Sequence, residues 1–306
     1  MPKAIKKMVQ GENRWRKLPS FAHLEGLMSN FQVKDLVNTD PQTFKNRIDE
    51  FLQLRDHEME GFKDPEKQRD LTIQFHWGHN HDFGDFQLEG LMGNRHIFLP
   101  AVFMDEFKVL PKSLEGKSIL DVGCWTGGTS MLLSAMGANV VAIEEVKKYV
   151  DSLNYLKESF GIKNIEAKNL SVYECAGEEF HDRFDYALFA GVLYHVTDLL
   201  LILRIMFNSV KDQGYVLIET AAIASSKQIL SYEGPNVHGA GKKEDLSRSG
   251  WNWFLPSPSA LEQMMADVGF TDIQVGKVIN GRVFAVGKRE SHVDMMRGGL
   301  SVKTIR

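Results

Sequence analysis

"KSILDVGCWTGGTSMLLSAMG", residues 117–137, passes from a short β-prone run through a glycine-rich turn into an apolar helix closed by Gly137. The turn reads Asp121-x-Gly123-x-x-x-Gly127-Gly128. Glycines let a backbone turn sharply and let a ligand approach without meeting a Cβ atom. In open parallel sheets, ligands sit beyond the carboxyl ends of the strands, near the point where strand order reverses. A plain strand-to-helix turn would carry the same glycines, so the neighbouring segments must decide.

Downstream, "ANVVAIEEV" is a second buried strand, and "KKYVDSLNYLKESFG" a helix stopped by Gly161. "NIEAKN" and "FDYALFAG" give the third and fourth strands, "DLLLILRIMFNSVKDQG" a further helix, and "GYVLIETAA" a fifth strand. Short apolar strands alternating with helices predict a parallel sheet covered on both faces. After a break, "SPSALEQMMADVGF" is a helix capped by Ser257 with Pro258 in its first turn. The strands "IQVGKV" and "GRVFAVGKR" follow, joined at Asn280–Gly281, a tight-turn signal. The expected class is α/β, a seven-stranded, mostly parallel sheet. Residues 1–110 read as a helical N-terminal cap and arm, 111–290 as the sheet domain with an insertion at 224–256, and 291–306 as a tail.

The glycine spacing is not the Gly-x-Gly-x-x-Gly of a dinucleotide fold, and the turn lacks the Lys-Ser/Thr ending of a phosphate loop. Instead Glu144 closes the second strand, 23 residues after Asp121 (144 − 121). A carboxylate there suits the two hydroxyls of a ribose. The loop reads as a seat for a nucleoside without a pyrophosphate.

These motifs, in this order from about Leu110 to Lys288, resemble the class I S-adenosylmethionine-dependent methyltransferases, which have a Rossmann-like fold. The resemblance implies S-adenosyl-L-methionine as cofactor. It implies that Gly123 and Gly127 make room for it, and that Asp121 anchors the loop or meets the amino end of its methionine. Glu144 would hold the ribose and Asn169 contact the adenine, with Ala190 and Gly191 beside the methionine portion. "FAGVLYHVTDLLLILRIMFNSVKDQGYVLIET" and "WNWFLPSPSALEQMMADVGF" resemble the branch containing the carboxymethyl-transferring tRNA wobble-uridine enzymes. "MMRGGLSVKTIR" is similar to bacterial small-molecule enzymes of that branch, one group of which S-methylates methionine.

Composition bears on the partner. The 36 basic and 40 acidic residues leave a formal charge of −4, unlike the positive excess of most nucleic-acid binders. A small-molecule methyl acceptor, such as a thioether or thiol, is therefore expected ahead of tRNA. A tRNA reading would draw on the basic start, with Lys3, Lys6, Lys7, Arg14, Arg16 and Lys17. A non-catalytic nucleoside-binding module is the third reading, since fold does not guarantee activity. Two cysteines, Cys124 and Cys175, make no disulfide framework and suit a cytoplasmic protein. No apolar run is long enough to suggest a membrane span or secretory signal. The long N-terminal region offers a surface for a homodimer.

Several residues are candidates for chemistry. His195, in "LYHV" after the fourth strand, can act as base or orient the acceptor, and Tyr194 can do either through its hydroxyl. "FHWGHNHDFG", residues 75–84, holds His76, His79 and His81. Its glycines make it loop-like and no cysteine lies near, so no metal is expected and the segment reads as a pocket wall with Trp77 and His81 facing the acceptor. Arg95 can fork onto an acceptor carboxylate or form a structural ion pair. In the insertion, Tyr232, Glu233, Asn252 and Trp253 are the acceptor-binding candidates, while Trp251 and Phe254 can belong to the core. Met264 and Met265 read as packing, and Cys124 as a space-filler.

Overall fold

The computed structural model describes residues 14–53, 77–90, 92–237 and 251–290. His76, the first thirteen residues, the tail from 291 and the tip of the insertion lie outside them. The N-terminal part contributes α1 (Phe21–Met28), α2 (Pro41–Gln53), a small pair β1 (His81–Asp82) and β2 (Gln87–Leu88), and α3 (Arg95–Asp105). The sheet domain follows as β3 (Ser118–Val122), α4 (Gly128–Ala135), β4 (Asn139–Glu144), α5 (Lys147–Ser159), β5 (Ile165–Asn169), β6 (Phe184–Ala190), α6 (Leu199–Ser209) and β7 (Val210–Ala221). It closes with the insertion pair β8 (Leu230–Val237) and β9 (Trp251–Pro256), then α7 (Pro258–Val268), β10 (Thr271–Val275) and β11 (Arg282–Lys288).

The seven-stranded sheet has the order β10-β11-β7-β6-β3-β4-β5. β5, β4, β3, β6 and β7 are parallel, and the β10–β11 hairpin adds antiparallel to β7. The chain winds outward from β3 through β4 to β5, then returns to the other side of β3 as β6. The switch point thus lies at the carboxyl end of β3.

Alternation along the strands sorts side chains onto two faces. Ile119, Val140, Ala142 and Leu188 join one core with α1, α3, α4, α5 and Trp77, Phe83 and Phe44. Leu120, Val122, Ile143 and Phe189 join the other with α6 and α7. The described part of the N-terminal cap therefore shares a core with the sheet.

The turn signals act as their chemistry requires. Gly137 and Gly161 are left-handed, at φ 100° and 64°, and Asn280–Gly281 takes φ 52° and 77° at the hairpin. Ser257 caps α7 by accepting from Ala260 N at 3.2 Å. One boundary differs from expectation. α6 stops at Ser209, before "VKDQG", because buried Arg289 donates to the carbonyls of Phe207, Asn208 and Val210. A cation occupying those end carbonyls terminates the helix, and Val210 pairs beside Phe184 instead. No helix among the described residues is long and apolar enough to cross a membrane.

Candidate active site

The switch point is framed by the carboxyl ends of β3, β4, β6 and β7. Glu144 ends β4 and its side chain turns back to the glycine loop. Trp125 N donates to Oε2 at 3.2 Å, and Val146 N donates to Oε1 at 2.9 Å. Trp125 adopts φ 50°, unusual for a bulky residue, and this conformation accompanies its amide's contact with the carboxylate. Each oxygen keeps a lone pair for a further donor. Burial raises the Glu144 carboxyl to about 7, outweighing these two bonds to its charged form. Asp121, inside β3, is raised to about 6 by burial while Ser130 Oγ donates to it at 2.6 Å.

The loop glycines are packed closely against neighbouring side chains. A methyl group at Gly123 would overlap Val192 Cγ2, and one at Gly127 would overlap Leu153 Cδ1 and stand 2.9 Å from its Cγ. Both glycines pack closely at positive φ. Gly191 is the open one: at φ 76°, the nearest atom to its added methyl is Tyr194 Oη at 3.9 Å. Ala190 and Gly191 are half-buried at the end of β6.

Tyr194 and His195 form a short turn after β6, their rings 4.0 Å apart. The insertion pair packs on this turn through β9. β8 and β9 pair from Leu230–Pro256 to Val237–Trp251, with extra residues looped out between Tyr232 and Asn236. Asn252 is buried on β9 and its Oδ1 has no partner among the described residues. Trp253 and Phe254 are half-buried, and Glu233 accepts from Ser231 Oγ at 3.0 Å. Tyr232 is 65% exposed and its ring packs against Phe254.

Two candidates stand elsewhere than the sequence suggests. Trp77 is fully buried, between the rings of His79 and His81. His81 stacks on Phe83 at 4.0 Å and pairs through Nε2 with Phe31 O at 3.0 Å. Both are core residues and neither faces an acceptor, because an indole and a flanking imidazole supply apolar area that the cap buries. The segment instead clamps the glycine loop. Gly78 N donates to Thr126 Oγ1 at 3.3 Å, His79 lies edge-on to Trp125 at 5.1 Å, and a methyl at Gly128 would stand 2.6 Å from His79 Nδ1. Asn169 Nδ2 donates to the Glu144 carbonyl at 2.9 Å and braces the end of β4. Arg95 takes the ion-pair alternative, donating to Glu219.

Sequence reading missed Glu219 and Arg282. Glu219 lies in β7 beside Ala190, and its carbonyl accepts from Gly191 N at 2.8 Å. Arg282 forks onto it, Nε to Oε1 at 2.5 Å and Nη2 to Oε2 at 2.6 Å, and its guanidinium lies 4.6 Å over the Tyr194 ring. Burial works to raise the Glu219 pKa, yet Arg282 and Arg95 hold it down at about 2. The available signal was a lone carboxylate inside the apolar run "YVLIETAA", since a buried charge demands a partner. Cys124 is buried with its thiol pKa pushed well up, first by burial and then by Asp121 and Glu144, which fits a filler. Among the described residues, no group of three or more His, Cys, Asp or Glu is placed to hold a metal.

A family model described as "Methyltransferase domain" matches residues 95–275, more than half of the chain. A tRNA U34 carboxymethyltransferase of Desulfotalea psychrophila is 28% identical over 169 residues, covering 55% of this chain and 49% of that protein. A ubiquinone biosynthesis O-methyltransferase of Rickettsia prowazekii is 23% identical over 223 residues, 70% of this chain and 78% of that one. The chain spans about half the length of the tRNA U34 relatives it matches. Among solved structures, the N-terminal domain of EvdMO1, crystallised with SAH and D-fucose, superposes with a TM-score of 0.52 at 19% identity. That match covers 74% of this chain and 96% of that one.

Proposed function

Because the chain belongs to the methyltransferase-domain family, we propose that it transfers a methyl group from S-adenosyl-L-methionine to a small-molecule acceptor. The acceptor sits between the Tyr194–His195 turn and the β8–β9 pair. The observation that carries this reading is a switch point with a carboxylate acceptor at the end of β4 and room for an added methyl after β6. Glu144 ends β4 with a lone pair left on each oxygen, and Gly191 follows β6 where an added methyl would meet nothing nearer than Tyr194 Oη.

These residues fit the cofactor. Glu144 would take the ribose hydroxyls, Asp121 and the loop from Gly123 the methionine end, and Gly191 would leave clearance beside it. When bound, the cofactor supplies an electrophilic methyl: the acceptor's lone pair forms the new bond while the carbon–sulfur pair returns to sulfur, leaving S-adenosylhomocysteine. The protein's part is alignment and exclusion of water, which can supply on the order of 7–11 kcal/mol. Tyr194 and His195 orient the acceptor and, where its nucleophile carries a proton, the His195 imidazole accepts it. A thioether such as methionine has none and requires only cation-tolerant aromatic walls, which Tyr194 and Trp253 offer.

A small acceptor is supported by the insertion packing directly on the turn and by the formal charge of −4. The second reading, a tRNA wobble-uridine modifier, is favoured by the names of the relatives that match. Calorimetry with S-adenosylhomocysteine is the first test, and no binding at high micromolar concentration sinks both readings. A labelled-methyl screen of thioethers, thiols and amino acids against tRNA then separates them. Salt-dependent tRNA retention with methylated tRNA as product would replace the small-molecule reading.

A further inference from the structure

Glu219 is one carboxylate facing two guanidiniums. Its side chain is 1% exposed, whereas Arg95 and Arg282 are 21% and 23% exposed. The charges sum to +1, and among the described residues neither arginine has a second acidic partner. Arg282 commits its fork to Glu219 and its face to Tyr194. Arg95 commits one N–H of Nη2; its Nε and Nη1 donate to no described residue, and the second Nη2 N–H completes a two-donor edge with one of them. A half-buried cation left over in this way is costly unless an anion completes it.

The location links this charge to the crevice. Gly191 N bonds the Glu219 carbonyl, and the Tyr194 ring, whose hydroxyl lies beside Gly191, sits 4.6 Å under the Arg282 guanidinium. We propose that the methyl acceptor is a small monoanionic carboxylic acid whose carboxylate pairs with the free edge of Arg95 and brings the Arg95–Glu219–Arg282 group to neutrality. One unit of surplus charge matches a carboxylate, while a phosphate dianion would overshoot it. A planar guanidinium edge presents two parallel N–H groups that a carboxylate accepts together. The assignment rests on the proposed function, since it names the acceptor class of that same site.

The test uses the full chain saturated with S-adenosylhomocysteine and ligand-observed NMR. Acetate, propionate and benzoate are compared with acetamide, propionamide and benzamide, and inorganic phosphate is added as a further probe. Acids binding at least about tenfold tighter than their amides support the assignment, and Arg95→Gln should remove that preference. S-adenosylhomocysteine binding by the variant reports whether its fold is intact; if it is not, the wild-type comparison decides alone. Acids and amides binding equally, neither class binding, or phosphate binding more tightly than acetate each overturn the assignment. Failure of S-adenosylhomocysteine to bind the wild-type protein would instead strike the methyltransferase reading itself.

Discussion

In the proposed site Glu144 must be charged to accept from two ribose hydroxyls at once, yet burial holds its carboxyl at about 7. Binding then competes with a proton. The apparent Kd for S-adenosylhomocysteine rises by the factor 1 + 10^(pKa − pH), which is about 2 at pH 7, about 11 at pH 6 and about 100 at pH 5. Affinity should fall roughly 50-fold from pH 7 to pH 5, or about 2.3 kcal/mol. Asp121, raised to about 6, steepens the loss only at the acid end, so the slope between pH 8 and pH 6 belongs to Glu144. The assay is isothermal titration in buffers of different ionisation enthalpy, where binding at pH 6 should release close to one proton. Glu144→Gln should flatten the slope between pH 8 and pH 6 and weaken binding at pH 8 by roughly 1.5–3 kcal/mol, the worth of a hydrogen bond to a charged group. A wild-type affinity that is flat from pH 8 to pH 6, or an unchanged slope in the variant, refutes the role assigned to Glu144.

Glu219→Ala leaves two half-buried guanidiniums without their shared carboxylate; urea unfolding should show a loss of about 3–5 kcal/mol, and a change below 1 kcal/mol would contradict the pairing. Gly127→Ala combines a left-handed φ of 87° with overlap at Leu153, so thermal unfolding should register a loss of roughly 2–5 kcal/mol; an unchanged Tm would mean that the loop has another conformation. Burial holds His79 down at about 3, His81 at about 4 and His96 well below its ordinary value. Folded pKa values below the unfolded one mean that this stability is present above pH 6.5 and lost as pH falls below it. Three histidines outnumber Glu144 and Asp121, whose raised values pull the other way, so the denaturation midpoint should decline from pH 6.5 to pH 4.5. A midpoint rising over that range would show the imidazoles to be charged in the fold.

Much of the fold was legible because its signals are local. The apolar strands of the sheet and helices ending at Gly137 and Gly161 are set by neighbours in sequence. So are the Ser257 cap and the Asn280–Gly281 turn. Glu144 too could be placed, since the end of a strand is a position along the chain. The end of α6 escaped because Arg289, 79 residues beyond Val210, supplies the terminating contact. Trp77 and His81 were misjudged for a related reason: aromatic and polar residues near glycines suit a pocket wall as well as a buried clamp.

From the sequence alone came the order of strands and helices, the glycine turn and the acidic end of the second strand, because backbone dihedral preference and hydrophobic period act over a few residues. The tertiary structure alone decided which charges meet. Arg95 and Glu219 are 124 residues apart and Arg282 lies 63 further from that carboxylate; only the return of β7 and β11 beside the start of α3 joins them. Electrostatic pairing depends on distance in space, and distance in space is what the folded sheet supplies.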